Sequence, residues 1–153
     1  MPLFPNYDDT ALYFSMVDEQ GPWSRRSIKP FPLDGREWQT AEHYYQAMRF
    51  ADEVNVAAVC DAHSAQDAVR LGKGWFKRKR RDWKALRVTM MTRAIYTQCQ
   101  IYPDMARALL ETDEQILVES SQYDYFWGCG RDRRGSNHYG KILMNIRAKL
   151  SEV

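Results

Sequence analysis

The sequence predicts a single α+β domain over residues 1–153, mostly helical with a few short strands. Apolar residues recur at helical spacing in several separate stretches, and β-type residues occur only in short runs. Hydrophobic residues make up 44% and charged residues 27% of the chain, as in ordinary globular domains. No repeat or low-complexity linker indicates a domain boundary, so a chain of this length is expected to have one core.

The first elements of the chain are a strand and a hairpin. LYFSM at 12–16 is typical of a strand, and Asp34-Gly35 is typical of a two-residue hairpin turn. The hydrophobic period then changes from two to about 3.6 residues. Thr40 stands at the N-cap position of a helix predicted over 41–52.

Five more helices and one strand are expected from the same signals. Apolar residues at helical spacing, with caps and breakers, predict helices at 54–61, 65–71, 81–98, 104–111 and 138–150. Ser64 is a suitable cap for the second of these, and Gly72 ends it. QILVE at 115–119 is typical of a strand, and a glycine-rich loop at 125–137 separates it from the last helix.

Composition restricts the class of protein. The net charge is only +2, which argues against a dedicated nucleic-acid binder but allows a local basic cluster. Three scattered cysteines without a CxxC pair favour a reduced chain without structural disulfides. The N-terminus has no signal-peptide pattern, and no apolar stretch is long enough to span a membrane. A soluble cytoplasmic protein is therefore expected, and the sequence leaves its oligomeric state open.

A run of five cations at 77–81 follows Trp75-Phe76 and precedes Trp83. Such a run is typical of a solvated helix start, but one or two of its members are suited to a phosphate, and interleaved aromatics also suit nucleic acid. If the run were helical, adjacent side chains would point about 100° apart. At most two or three would then face one ligand.

The predicted helix over 41–52 carries a polar face formed by Glu42, Gln46 and Arg49. Aromatic side chains surround Glu42, and burial beside them or a nearby arginine would adjust its acidity, as a general acid, base or electrostatic stabiliser requires. An ordinary exposed charge pattern on a helix would have the same spacing. His43 is interpreted as a partly buried polar residue and not as a metal ligand.

The loop YFWGCGRDRRGSN at 125–137 fails the spacing tests for known phosphate loops. Its glycines are spaced GxGxxxxG, so neither the dinucleotide fingerprint nor a P-loop is present. Cys129 has no second thiol or histidine at ligand spacing, which excludes a metal corner. The loop is instead interpreted as a flexible backbone that directs Trp127, Asp132 and Asn137 into a common space. Arg133 is interpreted as a solvated residue.

Two long motifs resemble the NADAR superfamily, also called YbiA-like. WQTAEHYYQAMRF at 38–50 resembles the family block W-P-T-x-E-H-Y-x-Q-A-x-K-F. YDYFWGCGRDRRGSNHYGKILM at 123–144 resembles its closing block, which contains W-G-x-G and later G-x-N-x-x-G. LYFSM, PLDG and the Arg80–Trp83 element match other family positions in order, so the resemblance covers nearly the whole chain and implies the NADAR fold.

The resemblance implies N-glycosidase chemistry, which is hydrolysis of the bond between a ribose C1 and a nitrogen. The implied substrates are phosphorylated pyrimidine intermediates of riboflavin biosynthesis (ribosylaminopyrimidine 5′-phosphates) or, alternatively, ADP-ribose attached to guanine in nucleic acid. A non-catalytic module that binds ADP-ribose or a nucleotide is the main rival from another class. No metal or other cofactor is expected.

The resemblance also implies the site residues. Glu42, Trp127, Asp132 and Asn137 align with the helix glutamate and with the loop tryptophan, aspartate and asparagine of the family. Because cleavage passes through an oxocarbenium-like transition state, Glu42 and Asp132 are expected to activate water and stabilise the cation, in an order left open. Trp127 is expected to stack on the base or the ribose. Asp132 should therefore matter for rate, and Arg133 should matter little.

Further residues are expected to bind the substrate. Asn137 would hydrogen-bond the sugar or base, and Arg49, Lys73 and Arg80 would bind the phosphate. Tyr45 and Trp83 complete the expected substrate-binding set. A covalent variant, in which the Lys73 amine captures C1 as a Schiff base, stays open.

The sequence departs from the family pattern in three places, at four residues. Gln39 replaces a proline and Lys73 stands where many relatives have arginine. Arg25-Arg26 replaces the asparagine and phenylalanine of F-S-N-F, which reads WSRR here. Because this last change lies near the expected pocket, it is expected to alter the choice of substrate.

Overall fold

A computed structural model describes residues 10–75 and 77–152 of the chain. The described residues form six helices and four three-residue strands, which confirms the predicted α+β class. In chain order the elements are β1 Leu12–Phe14, β2 Phe31–Leu33, β3 Arg36–Trp38, α1 Ala41–Ala47, α2 Glu53–Cys60, α3 Ala65–Gly72, α4 Trp83–Ile101, α5 Pro103–Leu110, β4 Leu117–Glu119 and α6 His138–Ser151.

The contacts of the chain divide it into two units. The first unit contains residues 10–24 and 103–152, and the second contains Arg25–Tyr102. Each unit has its own pair of strands, β1 with β4 and β2 with β3. The expectation of one domain over residues 1–153 stays a prediction.

In the second unit α1 is the central helix. It is buried along its whole length and packs against α2, α3 and α4. Thr40 caps it by accepting a hydrogen bond from the main-chain N–H of His43 (3.1 Å), and Ser64 caps α3 in the same way, which confirms both predicted caps. Buried aromatic side chains of the hairpin and the helix, with Trp38 and Tyr44 edge to face at 5.3 Å, form the adjoining core.

The predicted hairpin turn is present between β2 and β3. Asp34 and Gly35 both have positive φ, 52° and 78°, as a two-residue turn of this hand requires. The Asp34 carboxylate accepts a hydrogen bond from the Tyr44 hydroxyl (2.7 Å) and pairs with Arg93 of α4 (2.7 Å). These two bonds attach the turn to α1 and α4.

In the first unit β1 lies parallel to β4, with Leu12 opposite Leu117 and Phe14 opposite Glu119. Helix α6 packs on β4 and on α5. Its buried residues include Tyr139, Ile142 and Leu143, which are at the spacing that the sequence predicts. Among residues 10–75 and 77–152, no helix is both long and apolar enough to cross a membrane.

Several predicted boundaries move, and hydrogen bonds explain the shifts. Helix α1 ends at Ala47 and not at residue 52, because the N–H groups of Arg49 and Phe50 bond three residues back, to Gln46 and Ala47. Helix α4 covers Trp83–Ile101 and not 81–98: Asp82 stands at its N-cap, and its last turn continues until the Tyr102 N–H bonds to the Gln98 carbonyl (2.8 Å). Strand β1 ends at Phe14, since the Met16 N–H bonds to the Glu119 side chain.

Candidate active site

The polar face of α1 lies inside the second unit. Glu42 is 3% exposed and Gln46 is 2% exposed, while Arg49 is partly buried. The reading of this face as an ordinary exposed charge pattern is therefore wrong. Charged and amide side chains are rarely buried without partners, so the partners of these three residues indicate what the face does.

Glu42 is paired with the two arginines that precede it in the chain. The Nε and Nη2 atoms of Arg25 lie 2.8 and 2.5 Å from one carboxylate oxygen, Oε2. The Nε of Arg26 lies 3.8 Å from the other oxygen. The main-chain N–H of Glu42 also donates to the Arg25 carbonyl (2.8 Å). Arg25 and Arg26 thus both contact the Glu42 carboxylate, which is predicted to be catalytic. They stand where the family pattern has an asparagine and a phenylalanine.

Two aromatic rings lie between guanidinium groups beside this pair. The Tyr45 and Trp83 rings are 5.0 Å apart, and Arg25 lies over the Tyr45 ring at 4.7 Å. Arg49 lies 5.9 Å from the Tyr45 ring and 5.7 Å from the Trp83 ring. Such stacking holds the planar guanidinium groups in fixed directions. The structure therefore brings Glu42, Tyr45, Arg49 and Trp83 together around one aromatic pair.

Two buried polar atoms on this face have no hydrogen-bond partner among the described residues. They are Oε1 of Gln46 and Nε of Arg49. Gln46 packs directly against Gly72, where an added Cβ would lie 2.8 Å from the Gln46 Cβ, and Arg49 donates to the Gly72 carbonyl (3.3 Å). Because buried polar atoms are normally satisfied, an unpaired acceptor and donor here suit a polar ligand or a water molecule.

The two other cations assigned to phosphate follow α3 and precede α4. Lys73 is the C-cap of α3 and is exposed. Arg80 is partly buried and forms a forked pair with Asp82, at 3.0 and 3.1 Å. The main-chain N–H of Arg80 donates to the Arg49 carbonyl (2.7 Å), so Arg80 lies next to the polar face formed by Glu42, Gln46 and Arg49. Their role in binding phosphate stays a prediction.

His43, next to Glu42, is fully buried and held at both ring nitrogens. Its Nδ1 lies 2.7 Å from the Thr40 hydroxyl, and its Nε2 lies 3.0 Å from the Ala62 carbonyl. Since a carbonyl oxygen only accepts, Nε2 is the nitrogen that donates. The ring therefore fastens the start of α1 to the end of α2.

In the first unit, Trp127 packs as part of the core. It is 6% exposed, and its ring lies edge to face against Phe126 at 4.8 Å and Tyr139 at 6.3 Å. Asp124 holds this part of the loop by accepting from the main-chain N–H of Trp127 (2.7 Å). The predicted stacking of Trp127 on a substrate stays a prediction.

Asp132 lies at an exposed turn of the same loop. Its carboxylate accepts from the main-chain N–H of Arg134 (3.2 Å) and lies 3.7 Å from the Arg134 side chain. Arg133 has a positive φ of 63° and lies over the Tyr13 ring at 5.2 Å, so it has a packing contact that the sequence does not indicate.

Asn137 joins the start of α6 to β4. Its φ of 51° is left-handed, and its side chain accepts from Glu119 N–H and donates to the Leu117 carbonyl, both at 2.9 Å. Both ends of the amide are thus occupied by main-chain groups. Its predicted contact with sugar or base stays a prediction.

Glu119 is a buried carboxylate that sequence reasoning missed. It is fully buried in β4, and its two oxygens accept from the main-chain N–H groups of Met16 (2.7 Å) and Ser121 (2.8 Å). Gly128 makes room for it, because an added Cβ would lie 2.6 Å from Oε1. The signal in the sequence was a lone acid at the end of an apolar run, and its main-chain bonds indicate a structural role.

The cysteine thiols are not activated. Burial raises the pKa of Cys99 to about 11 and also raises the pKa of Cys60 and of Cys129.

Comparison with known proteins gives close relatives over almost the whole chain. It is 33% identical over 147 residues to the N-glycosidase Npun_R5314 of Nostoc punctiforme, which covers 94% of each chain. It is 31% identical over 144 residues to the N-glycosidase YbiA of Escherichia coli, covering 94% of this chain and 90% of the relative. The names of these relatives confirm the class of enzyme that the motifs predict, a hydrolase acting on N-glycosyl bonds.

A third relative extends the comparison to a longer protein. The riboflavin biosynthesis protein VVA0006 of Vibrio vulnificus is 37% identical over 148 residues, which is 96% of this chain and 40% of that protein. Among solved structures, the NMR structure of E. coli YbiA matches with a TM-score of 0.84 at 30% identity, covering 99% of this chain and 94% of the other. That match confirms the predicted fold. The NADAR domain family itself matches residues 4–151, and the chain belongs to it.

Proposed function

We propose that this protein hydrolyses the ribosyl C1–N bond of phosphorylated ribosylaminopyrimidine intermediates of riboflavin biosynthesis, releasing ribose 5-phosphate and the free base. The observation that supports it most is the polar face of α1, where Glu42 is buried beside unpaired polar atoms of Gln46 and Arg49. The names of the N-glycosidase relatives and of the riboflavin biosynthesis relative support the reaction and the substrate class.

The chemistry needs negative charge as the ribose acquires oxocarbenium character. In the proposal Glu42 and Asp132 supply the two carboxylates, one activating water and the other stabilising the cation or the ribose hydroxyls. Glycoside hydrolases use carboxylate pairs in this way, and the logic transfers here by analogy. Trp127 stacks on the base or ribose, and Asn137 hydrogen-bonds the substrate.

In the same proposal the substrate's phosphate is bound by cations of the second unit. Arg49, Lys73 and Arg80 are the proposed phosphate ligands, and Tyr45 and Trp83 hold Arg49 in its direction. Arg25 and Arg26 keep the Glu42 carboxylate in a fixed orientation. Fixed orientation of a reacting group is itself a large contribution to rate.

The assay compares two substrates and reads the products by mass. Ribosylaminopyrimidine 5′-phosphate should give ribose 5-phosphate and free pyrimidine. Release of ADP-ribose from guanine-linked ADP-ribose, with no turnover of the pyrimidine, would replace the proposed substrate by the alternative one. No turnover of either substrate, with retained binding of ADP-ribose, would favour a binding module. Borohydride trapping at Lys73 would favour the Schiff-base route.

Variants test the carboxylate roles. Glu42→Gln and Asp132→Asn should each lower kcat by about 10² or more while substrate affinity changes by less than about threefold. The matched controls are Glu37→Gln, an exposed glutamate of β3, and Arg133→Gln beside Asp132, which should both keep near-normal rates. Thermal melting establishes that each variant is folded in the assay. Normal turnover in Glu42→Gln would contradict the proposal.

A further inference from the structure

Four consecutive cations line one cavity in the second unit. The cavity has a volume of about 350 Å³ and is lined by Ala51, Asp52, Arg78, Lys79, Arg80 and Arg81, and is called here the basic pocket. Its volume is in the range of small-ligand sites. The segment that carries the cations precedes α4, which begins at Trp83, and residues 78–80 have no helical structure. In a helix, at most two or three of these adjacent side chains could face one ligand. Because residues 78–80 are not helical, that limit does not apply here.

The charge of the basic pocket is largely uncompensated. Asp52 is the one carboxylate among its lining residues, and both its oxygens are bonded to Asn55, at 3.0 and 3.1 Å, where Asp52 caps α2. Arg80 is paired with Asp82. Arg78 and Arg81 are exposed, and within residues 10–75 and 77–152 neither has an ion pair or hydrogen bond. Two forked donors are thus available at the pocket.

Lys79 shows how closely the positive charges are crowded. Its ammonium donates to the Gly74 carbonyl and lies 5.9 Å from the Phe50 ring. Burial lowers the pKa of Lys79, and the nearby charges of Arg49 and Lys77 lower it further. Cations that repel one another in a concave site attract an anion, because the anion relieves the repulsion.

We propose that the basic pocket binds the substrate's phosphate group and that Arg78 and Arg81 join Arg80 as its ligands. The planar guanidinium fork matches the oxygens of a phosphate, and two forks on one anion give specificity as well as affinity. The main-chain N–H of Arg80, a residue that lines the pocket, donates to the carbonyl of Arg49. The pocket therefore lies next to the polar face that carries Glu42. This assignment rests on the proposed function, where the bound phosphate is that of the ribosyl substrate.

The observations favour a small phosphorylated ligand over a nucleic acid. The cations surround a cavity and do not form an extended strip, and the net charge of the chain is only +2. Binding of nucleic acid needs phosphate contacts spread along a strand and weakens steeply with salt.

The first experiment measures binding of pyrophosphate and inorganic phosphate by calorimetry and by amide NMR shifts. Wild type should show saturable binding with shifts at residues 78–82. The variant Arg78→Gln/Arg81→Gln should bind at least about tenfold more weakly, a loss of about 1.4 kcal/mol. The control Arg70→Gln/Lys141→Gln removes the same charge from exposed positions outside the pocket and should bind within about twofold of wild type. Absence of saturation, or an equal loss in the control, would overturn the proposal.

The second experiment separates this site from the proposed function. If the pocket holds the substrate's phosphate, Arg78→Gln/Arg81→Gln should raise KM by about tenfold and change kcat little. Pyrophosphate binding without turnover of any substrate would reject the function and keep the site. Normal KM in the variant would reject the link to the substrate. If an oligonucleotide bound through Arg78 and Arg81 while pyrophosphate showed no saturable binding, the proposal of a small ligand would be rejected in favour of nucleic acid.

Discussion

At the ion pair between Arg25 and Glu42, two guanidinium nitrogens contact the same carboxylate oxygen. The side chains are 6% and 3% exposed, so water contributes little to either charge. In such a pair, removal of one partner leaves a buried charge without compensation, which costs far more than the pair itself contributes. The stability of the second unit therefore depends on keeping both residues or neither.

A double-mutant cycle tests this dependence. Arg25→Met alone should lower the free energy of unfolding by about 3–5 kcal/mol, because the buried Glu42 carboxylate loses its closest partner and keeps only the more distant Arg26. Arg25→Met with Glu42→Gln should lose clearly less than the sum of the two single changes. Urea unfolding of the four proteins measures the coupling. Strictly additive losses would contradict a mutual dependence, and Arg25→Lys, which keeps the charge without the fork, should fall between wild type and Arg25→Met.

Local sequence patterns predict the polar face of α1 but not its partners. The spacing of Glu42, Gln46 and Arg49 follows from helix geometry alone. The contact of Arg25 with Glu42 joins residues 17 positions apart, on either side of the β2–β3 hairpin, and no local pattern encodes it. The burial of Glu119 was missed for a similar reason, since its partner Met16 comes 103 residues earlier.

Among the elements, α6 begins after Asn137, an N-cap residue whose side chain bonds to β4 and not to the helix. Its amide satisfies two buried main-chain groups of β4, and its left-handed φ allows the chain to turn into the helix. On the edge of β4 that faces away from β1, the Asn137 side chain thus makes the hydrogen bonds that a neighbouring strand would make.

Asn137→Ala should destabilise the protein by about 2 kcal/mol or more, because the Glu119 N–H and the Leu117 carbonyl lose their partners. Asn145→Ala is the matched control on the same helix, where the side chain is exposed, and should change stability by no more than about 0.5 kcal/mol. Chemical denaturation of both variants measures the difference. Equal stability of the two would contradict a structural role for the Asn137 amide.

Elements fixed by local signals were predicted better than those fixed by distant contacts. The Asp34-Gly35 turn and the Thr40 and Ser64 caps depend on a few adjacent residues, and all three are present. The start of α4 was predicted two residues early, although Asp82, which stands at the N-cap, is a residue type that favours that position. The parallel pairing of β1 with β4 could not be read from either strand alone.

At the scale of the whole molecule, bonded carboxylates make stability dependent on pH. The pKa of Asp34 is lowered chiefly by its hydrogen bond with Arg93, that of Asp52 by the Asn55 N–H, and that of Asp82 by Arg80. A carboxyl whose pKa is lower in the folded state stabilises the fold above its unfolded value of 3.8. That contribution is lost as pH falls through the lower, folded value.

The free energy of unfolding should therefore be level near neutral pH and fall as the pH drops below about 4. Asp34→Asn should be less stable than wild type near neutral pH and should show a shallower decline in acid, since one of the three linked groups is gone. Urea unfolding at several pH values between about 7 and about 3 measures both slopes. Parallel curves for the two proteins would contradict a contribution from Asp34.

The fold class and the enzyme class of the whole chain were predicted from sequence and are confirmed, while the substrate that the resemblance implies stays a prediction. The motifs at 38–50 and 123–144 resemble the NADAR family, and the family match over residues 4–151 includes both. The basic pocket could not be predicted from the local pattern. That pattern favours the start of a helix at 77–81, whereas residues 78–80 are not helical and α4 begins only at Trp83.

The close packing of Gly72 against Gln46 has a consequence for how this sequence can change over generations. Any side chain at position 72 would overlap Gln46, so the two positions cannot vary independently. An alanine at 72 would lie 2.8 Å from the Cβ that every residue except glycine has at 46, so it requires glycine at 46 or a shift of α3 away from α1. The order of substitutions is thus constrained, and a change in the last turn of α3 depends on the helix that carries the glutamate.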